Sequence, residues 1–275
     1  MRIALLCKRT YTNKDLVTDK FGRLYEIPKR WAASGHHVHL FTVSYQWSLD
    51  EDVAQDHMNI RTMSLPRGFF NFYKRLQHAV KTFQPDVIIA SGDSHIGFMG
   101  SKIAKRLNIP FVFDLYHYYP NFRSNRLPGM KWMFRKALAA ASRVVCDSDA
   151  LKQKIDMPGK KVTVVEQGVE LNTFYPVEET EAKQALGLST DTVYIGYTGS
   201  LGARFDYDLL CSAMEVLYKE EGIRLLIAGN NVYNFDLNKE WLVFLGPLPQ
   251  DKIPVVIGAC RLMLMPYNNS VLSDT

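Results

Sequence analysis

Two stretches of the chain carry side chains whose types and spacing suit chemistry. The first, "YIGYTGSLGARFDYDLL" at 194–210, runs from an apolar strand pattern through a glycine-bearing turn into a helical pattern. In that succession Gly199 and Gly202, with Ser200 between them, free the backbone to wrap an anion. Arg204 adds a guanidinium able to grip two phosphate oxygens just ahead of the helix N-terminus. The plainer alternative is a flexible loop with a solvated arginine. The second stretch, "VFDLYHYYPNF" at 112–122, leaves a strand and presents Asp114, His117 and the tyrosines at 116, 118 and 119. An imidazole there can hydrogen-bond a sugar hydroxyl or move a proton, and tyrosine rings suit sugar faces. The alternative is a structural histidine among aromatics. Gly22 closes a long first turn that begins at Lys8, where backbone amides at a helix start can meet a phosphate, or where a glycine simply opens a helix. The stretch does not match GxGxxG, so a nicotinamide site loses its main support.

These residues need elements to hold them. Short apolar or β-branched runs alternate with longer stretches of helical period, which predicts βαβ units and parallel sheets. The expected strands are 2–7, 37–42, 86–90, 111–115, 143–147 and 162–165, with helices at 22–34, 69–82, 97–107, 130–141 and 149–155. After "ELNTFYPVEETE", which reads as a linker, strands follow at 194–197, 224–228, 242–245 and 262–265, with helices at 206–220 and 250–259. The expectation is α/β: two Rossmann-like doubly wound domains, 1–170 and 171–275, facing a shared cleft, the second incomplete.

Composition narrows the function classes. Residues 1–170 hold 26 lysines and arginines against 15 aspartates and glutamates, a net of +11, whereas 171–275 hold 7 against 13, a net of −6. The basic half points to an anionic partner such as a membrane surface, a lipid phosphate or a polysaccharide, and "FFNFYKRLQHAVKTF" and "MKWMFRKALAAASR" have the pattern of interfacial helices. Nucleic acid is disfavoured, because the basic residues form no recognition motif. No apolar run approaches the ~20 residues of a membrane-spanning helix, and "MRIALLCKR" is too short in its apolar part for a signal peptide. Cys7, Cys146, Cys211 and Cys260 are widely spaced and read as thiols in a reducing compartment, without a zinc site.

The order of these motifs resembles one family. "VVEQGVELNTFYP" at 164–176 is similar to the interdomain NGVDxxxFxP segment of retaining GT-B glycosyltransferases of group 1, family 4, and "ASRVVCDSDALKQKI" to the strand, serine and helix before it. "YTGSLGARFDYDLL" resembles the donor-phosphate loop, and the segment 224–267 the nucleotide-proximal half of the second domain. The resemblance implies retaining transfer of a sugar from a nucleotide-sugar, with no metal or other cofactor, to a glycan or lipid-linked acceptor held by the first domain. It implies a cytoplasmic protein, peripheral at the inner membrane face.

By the same resemblance the donor contacts are Gly22, Gly199, Ser200, Gly202, Arg204, Gly229, Gly246, Leu248 and Tyr267, and the acceptor contacts Asp114, Tyr116 and Tyr118. The catalytic candidate is His117, although ungapped matching sets the family histidine opposite Tyr116. Phe205 stands where the family has a lysine, and Gln167 where it has an asparagine. The family also carries a Glu-x7-Glu motif after the strand that ends at Pro266-Tyr267, whereas no glutamate follows Glu240 here. The expectation is therefore a truncated second domain, with the tail at 265–275 as the lip of the donor site. The competing reading is a non-catalytic carbohydrate or membrane-surface binding module on the same fold.

Overall fold

The computed structural model describes residues 1–268 apart from 12–13, 69–70, 123–124, 126 and 156–158. The chain divides into two compact units, Met1–Gly168 and Val169–Asp274. The first unit begins with β1 (Arg2–Lys8), the short hairpin β2 (Thr10–Tyr11) and β3 (Lys14–Asp15), α1 (Arg23–Ala33) and β4 (His37–Ser44). It continues through β5 (Glu51–Gln55), β6 (Met58–Ser64), α2 (Phe72–Phe83), β7 (Val87–Ser91), α3 (Ser94–Leu107) and β8 (Phe111–Leu115), and closes with α4 (Met130–Ala140), β9 (Arg143–Cys146), α5 (Asp149–Lys154) and β10 (Val162–Val164).

The sheet order is β10-β9-β8-β7-β1-β4-β6-β5. Every neighbouring pair is parallel except β5 with β6. Ile3 to Cys7 of β1 are all buried, as a central parallel strand covered on both faces requires. The chain lays β4 and β6 on one side of β1 and then returns to lay β7 to β10 on the other. The order therefore reverses between β1 and β7, and the carboxyl ends of these strands open a crevice. β5 and β6 were not expected from the sequence. Helix α3 begins three residues before the expected start at Gly97.

The second unit contains α6 (Glu179–Ala185), β11 (Tyr194–Thr198), α7 (Tyr207–Glu221), β12 (Arg224–Ala228), β13 (Leu242–Gly246), α8 (Ile253–Gly258) and β14 (Leu262–Met263). Its parallel sheet runs β13-β12-β11-β14, so the order reverses between β11 and β14. The expected linker runs into the start of α6, whose N-terminus is capped by the Glu178 side chain accepting from the Glu181 amide at 2.9 Å. Inside α6 the buried Lys183 bonds Glu179 at 2.6 Å and the Thr190 carbonyl at 3.2 Å. A charged segment is thereby drawn against α8, where Ala182 is fully buried.

Two consequences are measurable. A Cβ on Gly97 would stand 2.5 Å from the Phe113 ring and 3.2 Å from the Ala137 Cβ, so α3 packs closely only because that position is bare. Gly97→Ala should cost about 1–3 kcal/mol in urea denaturation by overpacking. His39 on β4 stacks on Phe41 at 4.3 Å and meets Phe83 edge-on at 5.1 Å. Burial lowers its pKa from 6.5 to about 4. The unfolded chain then binds the extra proton between those values, so this contribution is full above pH 6.5 and is lost as pH falls toward 4. His39→Gln should flatten the fall in the denaturation midpoint over that window.

Candidate active site

The crevice of the first unit is organised around a buried ion pair. Arg23, the first residue of α1 after Gly22, donates through Nη2 to Asp114 Oδ1 at 2.8 Å and through Nη1 to the Val165 carbonyl at 2.8 Å. The second Asp114 oxygen accepts from the Ser91 hydroxyl at the end of β7. Arg23 and Asp114 are both buried, so neither charge is left to water. Asp114, expected at the acceptor, thus has both of its oxygens engaged within the fold. Through these bonds Asp114 ties α1, β7 and β8 together.

Gly22 has φ 79°, in the left-handed region, and caps α1 with no side chain across its first amides. The long turn before it is folded down by Arg9, which bonds Asp15 at 2.6 Å and Glu51 at 2.7 Å. Past the end of β8, Tyr116, expected at the acceptor, is buried with its ring in the core. Gly92, at φ 106°, makes room for it: a Cβ there would stand 3.2 Å from the Tyr116 hydroxyl and 3.5 Å from that of Tyr119. His117 is half-buried between Tyr116 and Phe122, with ring centroids at 5.1 and 5.3 Å. Tyr118 faces elsewhere, packing edge-on against Phe134 of α4 at 6.1 Å. Asp114, Tyr116 and Tyr118, expected together, are thus divided between an ion pair, the core and an outer groove.

Sequence reasoning missed a cluster beside this crevice. The Tyr45 hydroxyl, just past β4, lies 2.7 Å from His95 Nε2 and donates to Asp93 Oδ2 at 3.1 Å. Burial lowers the His95 pKa, which favours its neutral form. The signal was present in "SGDSH" directly after β7, but a helix start placed at Gly97 left that turn unread.

In the second unit three of the residues expected at the donor, Gly199, Gly229 and Gly246, lie together along the carboxyl edge of the sheet. Gly199 follows β11, Gly229 follows β12 and Gly246 ends β13. The Gly199 amide donates to Ala228 O at 2.9 Å, Leu201 to Asn230 O at 2.8 Å, and Gly229 to Gly246 O at 2.8 Å. A Cβ on Gly229 would stand 1.9 Å from the Gly199 carbonyl oxygen, so no other residue fits that approach. The Ser200 carbonyl accepts from the Tyr197 hydroxyl at 3.1 Å, and Gly202 is open, with nothing within 4 Å of a Cβ.

Arg204 lies over the Tyr267 ring at 5.4 Å, and the carbonyls of Ala203 and Arg204 each accept from Asn268 at 2.8 Å. The loops after β11 and β14 are thereby stitched together. Phe205 is buried against Tyr197 at 4.8 Å and Phe235 at 6.0 Å, so in this backbone its position belongs to the core. Leu248 packs against the cluster around Tyr194 and Val256. Residues 269–275, expected to form a lip, lie outside the described residues. Among the described residues no group of three or more His, Cys, Asp or Glu is placed to hold a metal ion, and no helix is long and apolar enough to cross a membrane.

Two Rossmann-like units, each with a crevice where its strand order reverses and one with a glycine-lined basic loop, define the GT-B class of glycosyltransferase folds. The profile of Glycosyltransferase Family 4 matches residues 23–173, and the chain belongs to that family. It is 25% identical over 237 residues to an alpha-monoglucosyldiacylglycerol synthase of Streptococcus pneumoniae, covering 75% of this chain and 51% of that protein. It is also 25% identical over 215 residues to the sulfoquinovosyl transferase SQD2 of Arabidopsis thaliana, covering 72% and 41%. The chain thus spans about half the length of the curated relatives it matches. Among solved structures, Anabaena Alr3699/HepE in complex with UDP superposes with a TM-score of 0.65 at 17% identity, over 96% of this chain and 73% of that one.

Breaking the ion pair tests its organising role. Arg23→Met leaves a buried carboxylate without its cation and should lower stability by about 3–5 kcal/mol in urea denaturation. The double variant Arg23→Met/Asp114→Leu should recover part of that loss. Simple addition of the two single losses would contradict direct coupling.

Proposed function

We propose that the chain binds the diphosphate of a nucleotide-sugar in its second unit and serves retaining transfer of the sugar to a lipid-linked or glycan acceptor at the cytoplasmic membrane face. The observation that carries this reading is the gathering of Gly199, Gly229 and Gly246 along the carboxyl edge of the sheet, where the absence of side chains leaves room for a diphosphate on the side from which the loop of Arg204 follows β11. In this reading Gly202 and Ser200 line the diphosphate, and Tyr267 holds Arg204 in place. Leu248 and the backbone at Gly246 serve the nucleoside. The reading includes no metal or other cofactor.

The chemistry asks the protein to stabilise negative charge on the departing diphosphate, which preorganised amides and one guanidinium do without reorganisation. His117, at the crevice of the first unit, is the residue we assign to the reacting sugar, with Asp114 holding its strand in place through Arg23. The two glycosyl-transferring relatives support the reaction class, and the name of the first, which contains diacylglycerol, supports a lipid-borne acceptor. The net +11 of residues 1–170 supports work at an anionic surface.

Calorimetric titration with UDP-, GDP- and ADP-sugars tests the donor site. One base class should bind. Arg204→Ala should weaken that binding by about 10- to 100-fold, the worth of a hydrogen bond to a charged group, with an unchanged thermal midpoint. Failure of every nucleotide-sugar to bind would remove the donor reading.

A further inference from the structure

Outside α4, beside the turn at Tyr119–Asn121 and the end of α5, lies a groove of about 770 Å³. Helix α4 buries only Phe134, Ala137 and Leu138 against the unit. Lys131, Trp132, Arg135 and Lys136 line the groove, with Tyr118 and Lys154. Lys131 with Arg135 and Trp132 with Lys136 are four residues apart, so all four occupy adjacent positions on one helical stripe. Like charges at that spacing weaken a helix, and this stripe keeps two cations in series and a third beside them. None of the lining residues is acidic. From Ser94 to Cys146 the sequence holds nine lysines and arginines and one acid, Asp114, which is buried on Arg23.

The rim has the chemistry of a bilayer interface. Trp132 is 53% exposed, packs on Phe98 at 5.1 Å and carries Lys136 over its ring at 6.0 Å. Lys102 of α3 lies over Phe98 at 5.3 Å, and Leu127, just before α4, is 64% exposed. Amphipathic rings at headgroup depth, flanked by lysine and arginine, are what membrane interfaces select. We propose that this groove is the membrane contact of the protein and holds the phosphodiester headgroup of an anionic phospholipid between Lys131, Arg135 and Lys136, with Trp132 and Leu127 seated in the interfacial layer. This deepens the membrane-face reading above, and it stands or falls without any sugar transfer.

Co-sedimentation of the full chain with phosphatidylcholine vesicles, with and without phosphatidylglycerol, and with no nucleotide-sugar present, tests it. Binding should appear on the anionic vesicles and weaken with salt. Lys131→Gln/Arg135→Gln/Lys136→Gln should reduce it by about ten-fold or more, and Trp132→Ser should reduce it at fixed charge. Lys29→Gln/Lys74→Gln/Lys81→Gln, with the same charge change on α1 and α2, should reduce it far less, with circular dichroism confirming that every variant folds. Equal loss in the two triple variants would overturn the site in favour of diffuse attraction. No vesicle binding, phosphate binding in solution only, or preference for single-stranded DNA over anionic vesicles would each overturn the membrane assignment. Donor titration on the same protein reports separately on the transferase reading.

Discussion

The buried pair of Arg23 and Asp114 is the contact on which the first unit depends. One guanidinium joins the start of α1, the end of β8 and the segment after β10, and its carboxylate partner draws in Ser91 from β7. These groups gather at the carboxyl edge of the sheet, so the pair fixes the backbone that runs on from Asp114 toward His117. Ion pairs of this kind add little to stability compared with an apolar core. Losing one member is nonetheless costly, because it leaves an uncompensated charge in the interior.

The second unit reaches its geometry by the opposite route, through the removal of side chains. Gly199 and Gly229 approach so closely that a single Cβ would collide with a carbonyl oxygen, and the amides of this turn are used in stitching strand ends together. Phe205 completes the arrangement from beneath. Its burial against Tyr197 and Phe235 anchors the loop that carries Arg204, so the residue that departs from the family pattern on the acidic-ligand side contributes packing instead.

Much of this was legible in the sequence, for identifiable reasons. Central parallel strands such as β1 and β12 announce themselves as continuous apolar runs because both faces are covered. The glycine-bearing turn after β11 was readable because strand, turn and helix follow one another without interruption. β5 escaped notice because an edge strand with one wet face, "EDVAQ", carries charges where a central strand cannot. The short α6 looked like a linker because its burial rests on Ala182 and on the paired stem of Lys183. Arg23 left no local trace at all, since its partner lies 91 residues away and a lone arginine at a helix start is ordinarily solvated. Tyr116 and Tyr118 looked equivalent in a run of tyrosines, and only the tertiary fold separates the one that fills the core from the one that faces α4.

The capping of α7 sets the charge around the loop that carries Arg204. The Asp206 carboxylate accepts from the Leu209 amide at 3.2 Å, so the helix arrives with an amide already satisfied and a fixed negative charge at its mouth. Between Gly199 and Asp206 the only cationic side chain is Arg204. Attraction at the loop is therefore the work of one guanidinium held above a ring, opposed nearby by a carboxylate, and mobile ions screen such a balance readily. In the proposed donor reading, charge at this loop therefore counts in dilute salt and shape counts at high ionic strength.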